Sequence, residues 1–156
     1  YDEGMSLVVS DYRRSTTNPS FCHKSTNLCT SILLKEEANS KSADEALIIN
    51  TDGDVAECVV SNIFMVSGGS VVTPSLDTNI LPGITRRTVI DICKDNGIPI
   101  SEEPFATERL LKSDEVFITN SLMEIMPVSR IDDTKIGKAV PGRITHQLVN
   151  AYKRLI

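Results

Sequence analysis

The sequence predicts a mixed α+β domain whose curved, partly barrel-like and mostly antiparallel sheet is flanked by helices. Three observations carry that expectation. Short runs rich in Val, Ile and Phe crowd the middle of the chain, from "EALIIN" at residue 45 to "VVT" at residue 71. The Asp52-Gly53 and Gly68-Gly69 steps between them read as hairpin turns, which pair neighbouring strands antiparallel. Helical patterns are interspersed without a regular strand–helix–strand repeat, so a doubly wound parallel sheet is disfavoured. At 156 residues the chain suits one domain, residues 1–156, with a sizeable core.

The elements follow in order. "SLVVSDY" reads as a strand and "RRSTTNPS" as a polar loop. Residues 24 to about 40 read as a helix, with Leu28, Ile32, Leu33 and Ala38 on one face and Glu36 and Glu37 as good helix formers. "EALIIN", "TDGD" and "VAECVVSNIFMV" read as strand, turn and strand. After "SGGS" and "VVT", a helix is expected from about Thr85 to Asn96, stopped at Asn96-Gly97. "IPIS" is a strand, and "TERLLKSD" a short helix with Thr107 as N-cap. "EVFITN" and "EIMPVSRID" are strands, the second interrupted at Pro127, and a last helix runs from about Gly142 to Leu155.

Composition narrows the function classes. The chain is 40% hydrophobic and 24% charged, too apolar for a disordered segment. Its net charge is -5 with Lys and Arg scattered, which argues against a nucleic-acid partner. No apolar run approaches the about 18 residues of a membrane span, and no signal-peptide pattern opens the chain. Cys22, Cys29, Cys58 and Cys93 form no C-x-x-C pair, and His23 and His146 lie far apart, so no metal site is expected. Reduced, mostly buried thiols in a cytoplasmic protein are the expectation. The chain starts at Tyr1 rather than Met, which reads as a fragment or a processed product.

Four stretches could carry chemistry. "HKSTN" puts Lys24 at a helix start, "GDVAECVVSNIF" puts Glu57 within an apolar strand, and "VFITNSLMEIMPV" ends a strand in a Thr-Asn-Ser cluster. "NILPGITRR" is a Pro-Gly turn feeding a helix N-terminus, where unpaired N–H groups and partial positive charge favour an anion. Taken singly, these are also a solvated lysine, an outward polar residue, a plain turn and a polar loop. Together, a lysine able to form a Schiff base, a carboxylate for a pyridine nitrogen, and N–H groups with hydroxyls for a phosphate suit pyridoxal 5'-phosphate.

From about Asp11 to Tyr152 the chain resembles the class IV aminotransferases, the fold-type IV pyridoxal-phosphate enzymes, which include branched-chain and D-amino-acid aminotransferases and aminodeoxychorismate lyases. "KSTN", "ADEALIIN", "GDVAE", "SNIFMV", "VVTP", "ILPGITR", "SDEVFITNSLMEIMPV" and "IGKAVPGRIT" carry the resemblance, in family-like order and spacing. It implies that Lys24 is the Schiff-base lysine and proton shuttle, and that Glu57 pairs with the pyridine nitrogen. It gives the phosphate to Gly83, Ile84 and Thr85, with Arg86 and Arg87 adding positive charge, and makes Asn62 a supporter of Glu57. Ser121 is implied at the phosphate or the substrate carboxylate, with Leu122 offering an N–H nearby and Arg13 in the place of a substrate-carboxylate arginine.

The resemblance further implies the large C-terminal domain alone, without the family's smaller N-terminal domain, and a homodimer acting on small amino and 2-oxo acids. Aminotransferase activity is the leading expectation. The alternatives are an aminodeoxychorismate lyase releasing pyruvate and 4-aminobenzoate for folate synthesis, and a non-catalytic fragment or divergent homologue. Thr119-Asn120-Ser121-Leu122 stands where branched-chain enzymes usually have Gly-Thr-Ala, and Leu28 lies in the region of their Tyr; the "TNSLM" form looks more like the lyases and unassigned relatives.

Overall fold

The Val- and Ile-rich runs all join one sheet. A computed structural model describes residues 3–155. In chain order the elements are β1 (Met5–Arg14), α1 (Cys29–Ser40), β2 (Glu45–Asn50), β3 (Val55–Cys58), β4 (Asn62–Ser67), β5 (Ser70–Thr73), α2 (Ile84–Asp95), β6 (Ile100–Glu102), α3 (Thr107–Leu111), β7 (Glu115–Asn120), β8 (Glu124–Ile131), β9 (Thr134–Lys135) and α4 (Arg143–Tyr152). The sheet runs β3-β2-β1-β8-β7-β4-β5-β6, with β9 on β8. The β2–β3, β4–β5, β4–β7, β7–β8 and β8–β9 pairs are antiparallel, whereas β1–β2, β1–β8 and β5–β6 are parallel. The sheet curls into a half-barrel. Its two ends approach each other, because the Val55 N–H on edge strand β3 donates to Phe105 O just beyond β6.

Alternation along the strands sorts the core. Leu7, Leu47, Ile63, Met65, Val116, Ile118 and Val128 fill the inside of the curl. Phe64, Phe117 and Ile125 face the other way, against Val89, Ile90 and Cys93 of α2 and Ile144 and Leu148 of α4. Phe64 and Phe117 stand opposite each other on β4 and β7 and stack with centroids 4.8 Å apart. Val8, Ala46 and Ile48 meet Leu34 and Ala38 of α1. Both faces of β2 are therefore buried, which explains its unbroken apolar run.

Several local expectations need correction. The helix expected from Lys24 begins at Cys29; residues 23–28 form an irregular loop in which the Asn27 N–H donates to the Ser25 hydroxyl at 3.3 Å, a local bond that competes with the helical one. Its buried face is Leu34 and Ala38, one turn apart, while Leu28, Ile32 and Leu33 are exposed. "VAECVVSNIFMV" is two strands. The Val60 N–H and the Ser61 hydroxyl both donate to the buried Glu45 carboxylate, at 2.7 and 3.1 Å, and bend the chain between β3 and β4. Thr107 is the first residue of α3 rather than its cap. Pro127 does not interrupt β8; β1 joins β8 only from Val128, so a residue without an N–H is tolerated there. Cys58 and Cys93 are buried, and burial pushes the Cys93 thiol up to about 12; Cys22 is half-buried and Cys29 exposed. No helix among the described residues is long and apolar enough to cross a membrane.

Candidate cofactor site

Glu57 is the centre of the site. It lies on β3 and is buried. Its Oε1 takes a hydrogen bond from Arg14 Nη1. Its Oε2 accepts from Asn62 Nδ2 at 3.0 Å and from the Leu81 N–H at 3.1 Å. Burial pushes the carboxyl above the ordinary glutamate range, and the Arg14 guanidinium and the Leu81 N–H pull against that rise. The bonds join β1, β3, β4 and the turn before α2 at one carboxylate.

The turn comes next. Asn62 also donates to Leu81 O at 2.8 Å, so one amide holds both the carboxylate and the turn. A Cβ at Gly83 would lie 2.2 Å from Asn62 Oδ1, so only glycine allows the turn to pack this closely. Gly83 is the N-cap of α2 and has no side chain to cap it, and no side chain among the described residues accepts from the Ile84 or Thr85 N–H. Thr85 is only 3% exposed, whereas Ile84 is 80% exposed.

The turn that joins β7 to β8 forms the opposite wall. Thr119 stands across from Asn62 in the register of the Phe64–Phe117 row, so both side chains lie on the face that α2 covers. The Thr119 hydroxyl is buried without a hydrogen-bond partner. Asn120 Nδ2 donates to Ser61 Oγ at 3.1 Å, which ties this turn to the one before β4. Ser121 is exposed and Leu122 is 94% exposed.

Lys24 is exposed in the loop between β1 and α1. Two anchors bring that loop to the Glu57 pair. The Phe21 ring lies under the Arg14 guanidinium at 4.7 Å, and the Cys22 thiol donates to Asn79 Oδ1 at 2.7 Å. An uncapped helix N-terminus, a buried Thr85, an orphaned Thr119 hydroxyl and a buried, hydrogen-bonded carboxylate fit a phosphate ester joined to a nitrogen heterocycle.

The family model for class IV amino-transferases matches residues 1–131. The chain belongs to the class IV aminotransferases. The family's enzymes use pyridoxal phosphate. The chain is 37% identical over 148 residues to an aminodeoxychorismate lyase of Bacillus subtilis, covering 95% of this chain and 50% of that protein. It is 40% identical over 129 residues to a D-alanine aminotransferase of Listeria innocua, covering 83% and 44%. A branched-chain amino acid aminotransferase from Thermobaculum terrenum, solved in its pyridoxal-phosphate form, superposes with a TM-score of 0.92 at 30% identity, covering 99% of this chain and 51% of that one. The chain thus spans about half the length of the relatives it matches.

The structure brings together Glu57, Gly83, Ile84 and Thr85, sets Ser121 and Leu122 on the facing turn, and carries Lys24 on an anchored loop. It does not bring in Arg13, whose guanidinium is exposed and donates to Ser10 O at 2.5 Å and Tyr12 O at 3.2 Å. Its neighbour Arg14 turns inward instead. The register of β1 against β2 shifts between Val9 and Arg13, and this irregularity hides from the sequence which arginine faces the core. The Leu122 N–H is not open, because Asn120 Oδ1 accepts from it at 2.9 Å and from the Met123 N–H at 2.8 Å. This is an asparagine side chain closing its own turn. Nor do Arg86 and Arg87 add free charge: Arg86 donates to Pro74 O and Glu102, and Arg87 pairs with Asp91 one turn on. Arg14, Asn79 and Thr119 are site residues that the sequence reading does not name; Thr119 lies in the Thr-Asn-Ser cluster and Asn79 is a turn-former directly before "ILPG", whereas Arg14 carries no local signal.

Proposed function

We propose that this chain is the cofactor-binding part of a pyridoxal-phosphate enzyme that moves an amino group between an amino acid and a 2-oxo acid. The buried Glu57, fixed by Arg14, Asn62 and Leu81 beside an uncapped helix N-terminus, is the observation that carries the reading. When bound, pyridoxal phosphate supplies a carbonyl that takes up an amine and a ring that draws electrons from the adjacent carbon.

The residues of the chain do the rest. Ile84 and Thr85 receive the phosphate through their N–H groups and the Thr85 hydroxyl, and Ser121 adds a hydroxyl from the facing turn. Gly83, whose own N–H donates to Leu81 O at 2.9 Å, keeps the turn close beneath the phosphate. Glu57 keeps a proton at the ring nitrogen. Arg14 holds that carboxylate in place and limits how far burial favours its protonated form. Lys24 Nζ is the nucleophile; it removes the proton from the substrate's α-carbon and would deliver it to the former carbonyl carbon of the bound cofactor. Substrates are small amino and oxo acids, and a homodimer working in the cytoplasm is part of the same reading. The identity to a named aminodeoxychorismate lyase over 95% of the chain supports a second reading, in which the same early proton transfer leads to loss of pyruvate.

The test is a peptide-mapped mass spectrum after mixing the chain with pyridoxal phosphate and reducing with borohydride. The expected adduct is on Lys24. In Thr85→Val the cofactor should bind about tenfold more weakly, the loss of one charge-assisted hydrogen bond. Unchanged affinity in that variant would remove Thr85 from the phosphate site. Pyruvate release from aminodeoxychorismate, against oxo-acid formation with glutamate or alanine, separates the two readings.

A further inference from the structure

Asn79 sits in the left-handed region at φ 63° and is 5% exposed, directly before the turn that carries the phosphate N–H groups. Its side-chain hydrogen bonds all go to the lysine loop. Nδ2 donates to Ser15 O at 3.0 Å and to Asn18 O at 2.6 Å, and Oδ1 accepts from the Cys22 thiol at 2.7 Å. Its backbone carbonyl faces the other way and accepts from Arg14 Nη1 at 3.4 Å, the same nitrogen that holds Glu57. One residue therefore touches the loop that bears Lys24 and the cation under Glu57. Lys24 is two residues beyond Cys22, so its Cα lies within about 7 Å of the last anchored position. Beyond Cys22 the bonds among the described loop residues are local, from His23 N–H to Ser20 O at 3.2 Å and from Asn27 N–H to Ser25 Oγ at 3.3 Å, until α1 begins at Cys29.

We infer that Asn79 is a positioning residue for Lys24, fixing where the amine stands relative to the Glu57 carboxylate. The inference rests on the cofactor reading above. Neither the phosphate turn nor the Glu57 bonds use the Asn79 side chain, so its loss separates two properties that a general structural defect would move together. Phosphate-ester binding belongs to the turn, whereas capture of a carbonyl by the amine depends on where the loop puts Lys24.

The experiment uses Asn79→Gly, which deletes the side chain and keeps the left-handed backbone. Two quantities are read on the whole chain: the affinity for pyridoxamine phosphate, which needs no bond to lysine, and the rate of borohydride-trapped pyridoxal-phosphate addition at Lys24. The affinity should stay within about twofold and the rate should fall about tenfold or more, the scale of a misplaced reacting group. Cys22→Ala, which loses one of the three bonds, should show a smaller fall with the same split. Equal rates in Asn79→Gly and the unaltered chain overturn the inference, as does a parallel loss of affinity and rate. If Asn79→Gly does not fold, the split in Cys22→Ala decides alone. No adduct at Lys24 in the unaltered chain overturns the cofactor reading and this inference with it, whereas adducts at equal rates overturn the inference only.

Discussion

Two helices in this molecule start the same way and end up with opposite chemistry. α2 opens at Pro82-Gly83 and α4 at Pro141-Gly142, each glycine being the N-cap. At α4 the anion is built in: Glu115 accepts from the Ile144 N–H at 3.0 Å and the Thr145 N–H at 2.7 Å. A Cβ at Gly142 would lie 2.1 Å from the Glu115 carboxyl carbon, so glycine there makes room for an internal ligand. At α2 the glycine makes room for Asn62, whose amide is spent on Glu57 and Leu81, and the N–H groups are left for something from outside. A Pro-Gly helix start thus leaves N–H groups for an acceptor but does not say whether the chain itself supplies one.

The floor beside α2 can be broken most severely at Arg14. Arg14→Ala leaves the buried Glu57 carboxylate without its cation and should cost about 3–5 kcal/mol in urea unfolding. Arg13→Ala, one residue away and exposed, should stay within about 0.5 kcal/mol. Equal effects would mean that the inward arginine has been misassigned. The α4 side gives a smaller change. Glu115→Gln keeps the size but removes the charge from the helix start, for an expected loss of about 1–2 kcal/mol in the same measurement.

The smallest effect is a slope against pH. Burial raises the carboxyls of both Glu45 and Glu57, so each binds its proton more tightly folded than unfolded. Their share of stability is fully present below the unfolded glutamate pKa and is lost as pH rises through the folded values. Glu45→Gln should flatten the fall in stability just above the ordinary glutamate range, read from urea midpoints at a series of pH values. An unchanged slope would assign the fall to Glu57 or to no buried carboxylate.

Much of this was legible in the residues. The hairpins at Asp52-Gly53 and Gly68-Gly69, the strands on either side and the span of α2 follow from local patterns, because turn chemistry and periodicity act over a few residues. Glu57 and Lys24 were nameable from the kind of chemistry they can do. What failed were readings that depend on distant partners. Arg14 meets Glu57 across 43 positions, and the lysine loop is tied to Asn79 across about 60, and no local pattern announces either contact. Leu28, Ile32 and Leu33 suit a buried helical stripe equally well, and only the position of β1 and β2 selects Leu34 and Ala38.

By itself, then, the sequence determined the alternation of strands and turns, the two Pro-Gly helix starts and the supply of a lysine, a carboxylate and hydroxyls. The tertiary structure alone decided which helix start stays open, which of two adjacent arginines faces the carboxylate, and where the lysine loop is pinned. The physical reason is range: backbone geometry and hydrophobic period are set by near neighbours, whereas an ion pair or a clasp exists only after the sheet has curled its distant strands together.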